Sequence, residues 1–92
     1  MIIKPSTRPT KKYMAITKDG TTLHFGGKGY DQFKDSTGLG KYSHRDHGDH
    51  ARRKRYFTRH SGTPFKGEAI QKELKKSKGK WTPKLLAHTY LW

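Results

Sequence analysis

The stretch KKYMAITKDGTTLHFGG, residues 11–27, restricts the fold more than any other part of the chain. Asp19-Gly20 is a favoured central pair for a tight hairpin turn, because glycine tolerates the positive backbone angle such a turn demands. With these two residues as the loop, Lys18 faces Thr21, Ile16 faces Leu23 and Met14 faces Phe25. Side chains alternate along a strand, so Met14, Ile16, Leu23 and Phe25 would share one face. The expectation is a β-hairpin with one apolar side.

That side has few partners to choose from. Of 92 residues, 29% are apolar, so one small core is all the chain can build. There is no cysteine, which removes disulfides and thiolate metal sites from the means of support. No apolar run is long enough to span a membrane. The first eleven residues, with Pro5 and Pro9 among Lys4 and Arg8, show no periodicity and read as an extended basic arm. Residues 12–92 then form a single small domain. Its glycine-rich segment, residues 26–48, is a long loop in which Tyr30, Phe33, Leu39 and Tyr42 fit no period; a short helical turn over residues 30–34 is the alternative.

Three helices are expected beyond the loop. Asp49 caps the first, over about residues 50–60, and Ser61-Gly62 stops it. On a helical projection Tyr56, Phe57 and His60 lie on one side with Arg53 among them, while Arg52, Arg55 and Arg59 form a separate stripe. Thr63 and Pro64 open the second, with Ala69, Ile70, Leu74 and Ser77 as an apolar stripe, Lys72, Lys75 and Lys76 opposite, and Gly79 as the stop. Thr82 and Pro83 open the third, and Trp81 is expected to staple onto Leu86. Leu85, Leu86, Tyr90 and Trp92 form a dense apolar patch, with Trp92 docking on the hairpin or on a neighbouring subunit. The class is α+β.

Twenty-one basic residues against seven acidic give a formal charge of +14, so a polyanion is expected where the chain works. The candidate contacts are Arg52, Arg55, Arg59, Lys72, Lys75 and Lys76. Arg53 falls on the face that must pack and needs a partner there, with Asp31 and Asp46 the candidate carboxylates. Tyr56, Phe57, Trp81 and Trp92 complete the structural set. His44, His47 and His50, with Asp46 and Asp49 between them, resemble a metal cluster. Gly48 and the Asp49 cap break any single helix that would bring them together. No metal, cofactor or catalytic residue is therefore assigned. The glycine pairs near Lys28 and Lys41 lack the length and the hydroxyl of a phosphate loop.

The segments HFG (24–26), YDQF (30–33), SHRDH (43–47), RRKRYFTRH (52–60) and YLW (90–92) occur in that order. Together they resemble short, basic proteins encoded by large double-stranded DNA viruses and by tailed phages. The resemblance implies a virion component or a DNA-associated viral protein without enzymatic activity. The expectation is thus a small basic structural protein of a viral particle, a minor capsid or capsid-lining component within a multi-subunit assembly. It would reside in the virion, and in the host cell interior before assembly. Its partners would be capsid proteins or packaged DNA, with no membrane. The alternative is a free viral nucleic-acid-binding protein that compacts or regulates DNA.

Overall fold

The computed structural model describes residues 1–92 as a three-stranded antiparallel sheet followed by a long loop and three helices, an α+β fold. The strands are β1 (Ile2–Pro5), β2 (Lys11–Ile16) and β3 (Thr22–Gly27), ordered β1-β2-β3. A single 3₁₀ turn, Ser43–Arg45, interrupts the loop, and residues 30–34 form no helix. The helices are α1 (His50–Ser61), α2 (Lys66–Lys76) and α3 (Pro83–Tyr90).

The hairpin forms at Asp19-Gly20, but its register differs by one residue from the expected one. Ile16 pairs with Thr22, Ala15 with Leu23, Met14 with His24 and Tyr13 with Phe25. The loop holds three residues, not two. The Gly20 N–H donates to the Thr17 carbonyl at 3.0 Å, and Gly20 takes the left-handed conformation at φ 85°. This is a turn followed by a glycine bulge, the usual three-residue hairpin loop. The Asp19 carboxylate supports it by accepting from the Thr17 hydroxyl and from the Thr21 N–H at 3.1 Å. Because side chains alternate, the slip inverts the β2 face: Tyr13 and Ala15 enter the core, and Met14 and Ile16 do not.

The expected arm over residues 1–11 is likewise corrected. Residues 2–5 are the first strand of the sheet, with Ile3 opposite Ala15 and Pro5 opposite Tyr13. Proline removes one donor, which an edge strand tolerates. Ile3 and Leu23 extend the inner face around Tyr13 and Phe25.

Helix α3 covers that face. Leu86 and Leu91 join Tyr13, Ala15, Phe25 and Tyr42 in the main core. Gly26, at φ 77°, lets α3 come close, since a Cβ there would lie 2.8 Å from Leu91. The loop in turn clasps the end of α3: Lys34 N–H donates to the Leu91 carbonyl at 3.1 Å and Ser36 N–H to that of Tyr90 at 2.8 Å. These bonds satisfy carbonyls that a helix end leaves open.

The caps largely follow from sequence. The Asp49 side chain accepts from the Ala51 and Arg52 N–H groups at 2.9 and 3.2 Å, and Gly62 closes α1 in the left-handed conformation. Thr82 caps α3 and Pro83 starts it. Helix α2 begins two residues later than Thr63-Pro64 suggested, with Phe65 as its cap residue. The Thr63 hydroxyl donates to Glu68 at 2.8 Å, which anchors the turn before α2. Trp81 stays partly exposed beside Tyr90, ring centroids 6.3 Å apart, whereas Leu86 is buried against the sheet. Trp92 docks on α1 as well as on the sheet-side core, stacked parallel on Tyr56 at 4.1 Å.

The hairpin loop offers a direct check. A Cβ at Gly20 meets nothing within 4 Å, so Gly20→Ala carries only the left-handed backbone penalty. The cost should be about 1 kcal/mol. Gly29 is equally unobstructed and needs no positive φ, so Gly29→Ala should lie within about 0.5 kcal/mol of wild type. Urea denaturation midpoints for the two variants distinguish these outcomes.

Candidate polyanion interface

A cleft of about 600 Å³ runs between the β2–β3 side of the sheet, the start of the glycine-rich loop, α1 and the two ends of α3. Its cationic lining comprises Lys11, Lys12, Arg52, Arg59 and Lys84, with His60 beside them. Tyr30, Tyr56 and Trp92 add aromatic surface, and Asp31 is the one carboxylate in the lining.

Lys12 is the buried member, with 1% of its surface exposed. Its ammonium donates to the Tyr30 carbonyl and to the Gln32 side-chain oxygen. Burial, and then the charge of Arg45, bring its pKa down from 10.5 to about 8. Arg52 is half-buried, and Asp31 holds it at 3.8 Å while also meeting Arg45 at 3.4 Å. Arg59 and Lys84 are exposed and touch no carboxylate.

Among the expected contact residues, the cleft gathers Arg52 and Arg59. Arg55 is exposed on α1 outside it. The α2 lysines also lie elsewhere. The Lys72 ammonium donates to the Ser61 carbonyl at 3.1 Å, Lys76 pairs with Glu73 at 3.8 Å, and Lys75 stands exposed.

Arg53 does not pair with Asp31 or Asp46, contrary to expectation. Its guanidinium lies 4.4 Å over the Phe33 ring, and its Nε is buried without a partner. Both carboxylates are committed elsewhere: Asp31 to the two arginines, and Asp46 to the Gln32 amide at 2.7 Å and the Asp35 N–H at 2.8 Å. The three histidines have separate duties. His47 accepts from the Asp49 N–H at 2.9 Å and its ring faces Trp92, His50 lies against Phe33, and His44 against Tyr42. No group of three or more such side chains is placed to hold a metal ion.

Over residues 1–37 the chain is similar to a family of unknown function, DUF5754. That span holds all three strands, Lys11, Lys12, Tyr30, Asp31 and Gln32, and none of the helices. No curated protein matches the chain, and no solved structure does.

A second polar assembly, spread over three helices, carries no signal in the sequence. The buried Tyr56 hydroxyl meets His88 Nδ1 at 2.9 Å, His88 Nε2 meets the Ser61 hydroxyl at 2.8 Å, and Ser61 donates to Glu73 Oε2 at 2.9 Å. Ser61 spends its single proton on the carboxylate, so His88 must donate from Nε2 and accept at Nδ1 from Tyr56. The donors therefore all run one way, from Tyr56 through His88 and Ser61 to Glu73. This is a serine beside a histidine, yet the hydroxyl proton points at Glu73 instead of the imidazole. A nucleophilic serine needs the reverse. Its physical role is to join α1, α2 and α3 through fully paired groups.

Burial, opposed by Glu73 and reinforced by His60, Lys84 and Lys66, lowers the His88 pKa from 6.5 to about 4. The unfolded chain takes up this proton first as pH falls. Stability conferred by neutral His88 is thus complete above about pH 6.5 and is lost down to about pH 4, by roughly 3 kcal/mol in total. Urea midpoints at neutral pH and near pH 4 should show the loss. His88→Leu, weaker at neutral pH because Tyr56 and Ser61 lose partners, should show a shallower acid slope. Arg53→Ala should cost about 1–2 kcal/mol, the scale of a partly desolvated cation–π contact and not that of a broken buried ion pair. The midpoint of that variant decides between the two.

Proposed function

We propose that this protein is a non-enzymatic, polyanion-binding structural module of a viral particle, engaging packaged nucleic acid or an acidic capsid surface. One observation carries the polyanion reading. All seven carboxylates are occupied inside the fold, in the hairpin loop, the glycine-rich loop, the α1 cap, the turn before α2 and the three-helix network. Of twenty-one lysines and arginines, only Arg45, Arg52 and Lys76 lie within ion-pair distance of a carboxylate. The remaining positive charge is uncompensated by the chain itself, and a partner of opposite sign relieves the repulsion. The virion setting rests on the sequence resemblance to short basic proteins of DNA viruses and tailed phages.

The alternative, a free nucleic-acid-binding protein, is favoured by the cleft, which combines cations with aromatic rings where a purely electrostatic lining would need none. Two measurements separate the readings. A particle component co-purifies with nuclease-treated particles; a free binder is removed with the nucleic acid. For either, affinity of the chain for duplex DNA should fall linearly with salt on logarithmic axes. Arg55→Ala and Arg59→Ala should each leave the melting midpoint within about 0.5 kcal/mol of wild type. Each should also reduce the salt slope by about one where the arginine meets a phosphate. Salt-independent binding would remove the polyanion reading.

A further inference from the structure

The cleft contains a feature that charge alone does not explain. Tyr30 is 77% exposed, the most exposed of the chain's large apolar side chains, and it sits in the cleft lining among the cations. Its position is nevertheless defined. Its N–H donates to the Gly27 carbonyl at 3.1 Å, and its own carbonyl accepts from the buried Lys12 ammonium. The ring lies against Gly27 so closely that a Cβ there would be 2.5 Å from Tyr30 Cδ2. One side of the ring thus rests on backbone, and the exposed remainder faces water on a pinned segment.

We propose that the cleft takes a single-stranded segment of nucleic acid, with one unstacked base lying on Tyr30 and the adjoining phosphates facing Lys11, Arg52 and Arg59. This rests on the polyanion reading and narrows it to a ligand class. A volume of about 600 Å³ falls in the range of sites that enclose a small ligand or one unit of a longer one. A duplex keeps its bases paired and stacked, so it presents backbone and base edges to such a cleft but no base face. An acidic protein surface supplies charge, but a flat ring only where an aromatic side chain is exposed beside its carboxylates. An unpaired strand supplies both, since every base has a face that stacks on an aromatic side chain. Asp31 opposes the ligand's charge from within the lining, but Arg45 and Arg52 hold it at 3.4 and 3.8 Å, which offsets most of that repulsion.

The test compares three probes on the full chain by fluorescence anisotropy and competition. They are a short labelled oligothymidylate, a duplex of matched charge, and polyphosphate, which has charge and no bases. Wild type should prefer the oligothymidylate. Tyr30→Ala should weaken that probe about tenfold and leave duplex and polyphosphate unchanged. Tyr30→Leu, which keeps apolar cover over Gly27 without an aromatic face, should match it, and Tyr30→Phe should bind as wild type does. Asp31→Asn should tighten all three probes. Equal binding of the three probes with no effect of Tyr30→Ala and Tyr30→Leu overturns the single-strand site and leaves the polyanion reading standing. The single-strand site is overturned equally if these variants weaken polyphosphate as much as oligothymidylate. Binding of none of the three overturns both.

Discussion

The side chain of Gln32 lies where β2, the glycine-rich loop and the approach to α1 meet, and almost none of it reaches water. Its oxygen accepts from the Lys12 ammonium, and its amide nitrogen donates to the Tyr42 carbonyl and to Asp46, both at 2.7 Å. Its backbone bridges to the Arg45 carbonyl and to the His47 N–H. Asp46 passes the connection to the Asp35 N–H, and Asp35 accepts from the Tyr13 hydroxyl in the core. Hydrogen bonds from Thr37 and Tyr13 hold the Asp35 pKa low against the upward push of burial. A loop so rich in glycine has a large conformational entropy to lose, and few apolar residues to offset it. Paired buried polar groups supply the definition that apolar packing cannot. From this knot follow the position of Tyr30, the wall of the cleft and the start of α1.

The same substitution of polar pairing for apolar burial recurs in the helical half. Ten of the seventeen buried residues are hydrophobic; the others are Lys12, Gln32, Asp35, Ser61, Thr63, Glu73 and His88. Six of the seven carboxylates act as a cap, a turn support or a member of a polar network, and Asp31 pairs with Arg45 and Arg52. Positive charge is left on the outside as a result. The strongly basic surface and the ordered glycine-rich loop are therefore linked, since most carboxylates that could have neutralised the exterior are engaged by the fold's own turns, caps and polar networks.

What could be read from sequence was local. Asp49, Gly62, Thr82 and Pro83 act within a turn of their own positions, and the elements they bound are where residue types put them. The hairpin was legible in place but not in register, because Asp-Gly serves both a two-residue loop and a three-residue loop ending in a glycine bulge. Met14 and Ile16 made the wrong face look apolar; the tyrosine and alanine between them are the residues that fill the core. The first strand was hidden by Pro5 at its end, by Pro9 soon after it and by its brevity. Arg53 does lie on the packing side of α1, but its partner is an aromatic ring in the loop, which no helical projection reveals. The Tyr56–His88–Ser61–Glu73 chain joins residues from three helices, and its spacing carries no motif.

The apolar interior is in two pieces, one between the sheet and α3, the other centred on Tyr56, Phe57 and Ala69. Trp92 packs against both, and the cleft lies along the seam it closes. Arg52, Arg59 and Tyr56 approach the cleft from the second piece, and Lys11, Lys12 and Phe25 from the first. A ligand bridging the two sides would act as a mechanical brace. Occupancy would reduce the freedom of α1 and α2 to rock against the sheet, and amide exchange along the seam would slow with no new secondary structure formed.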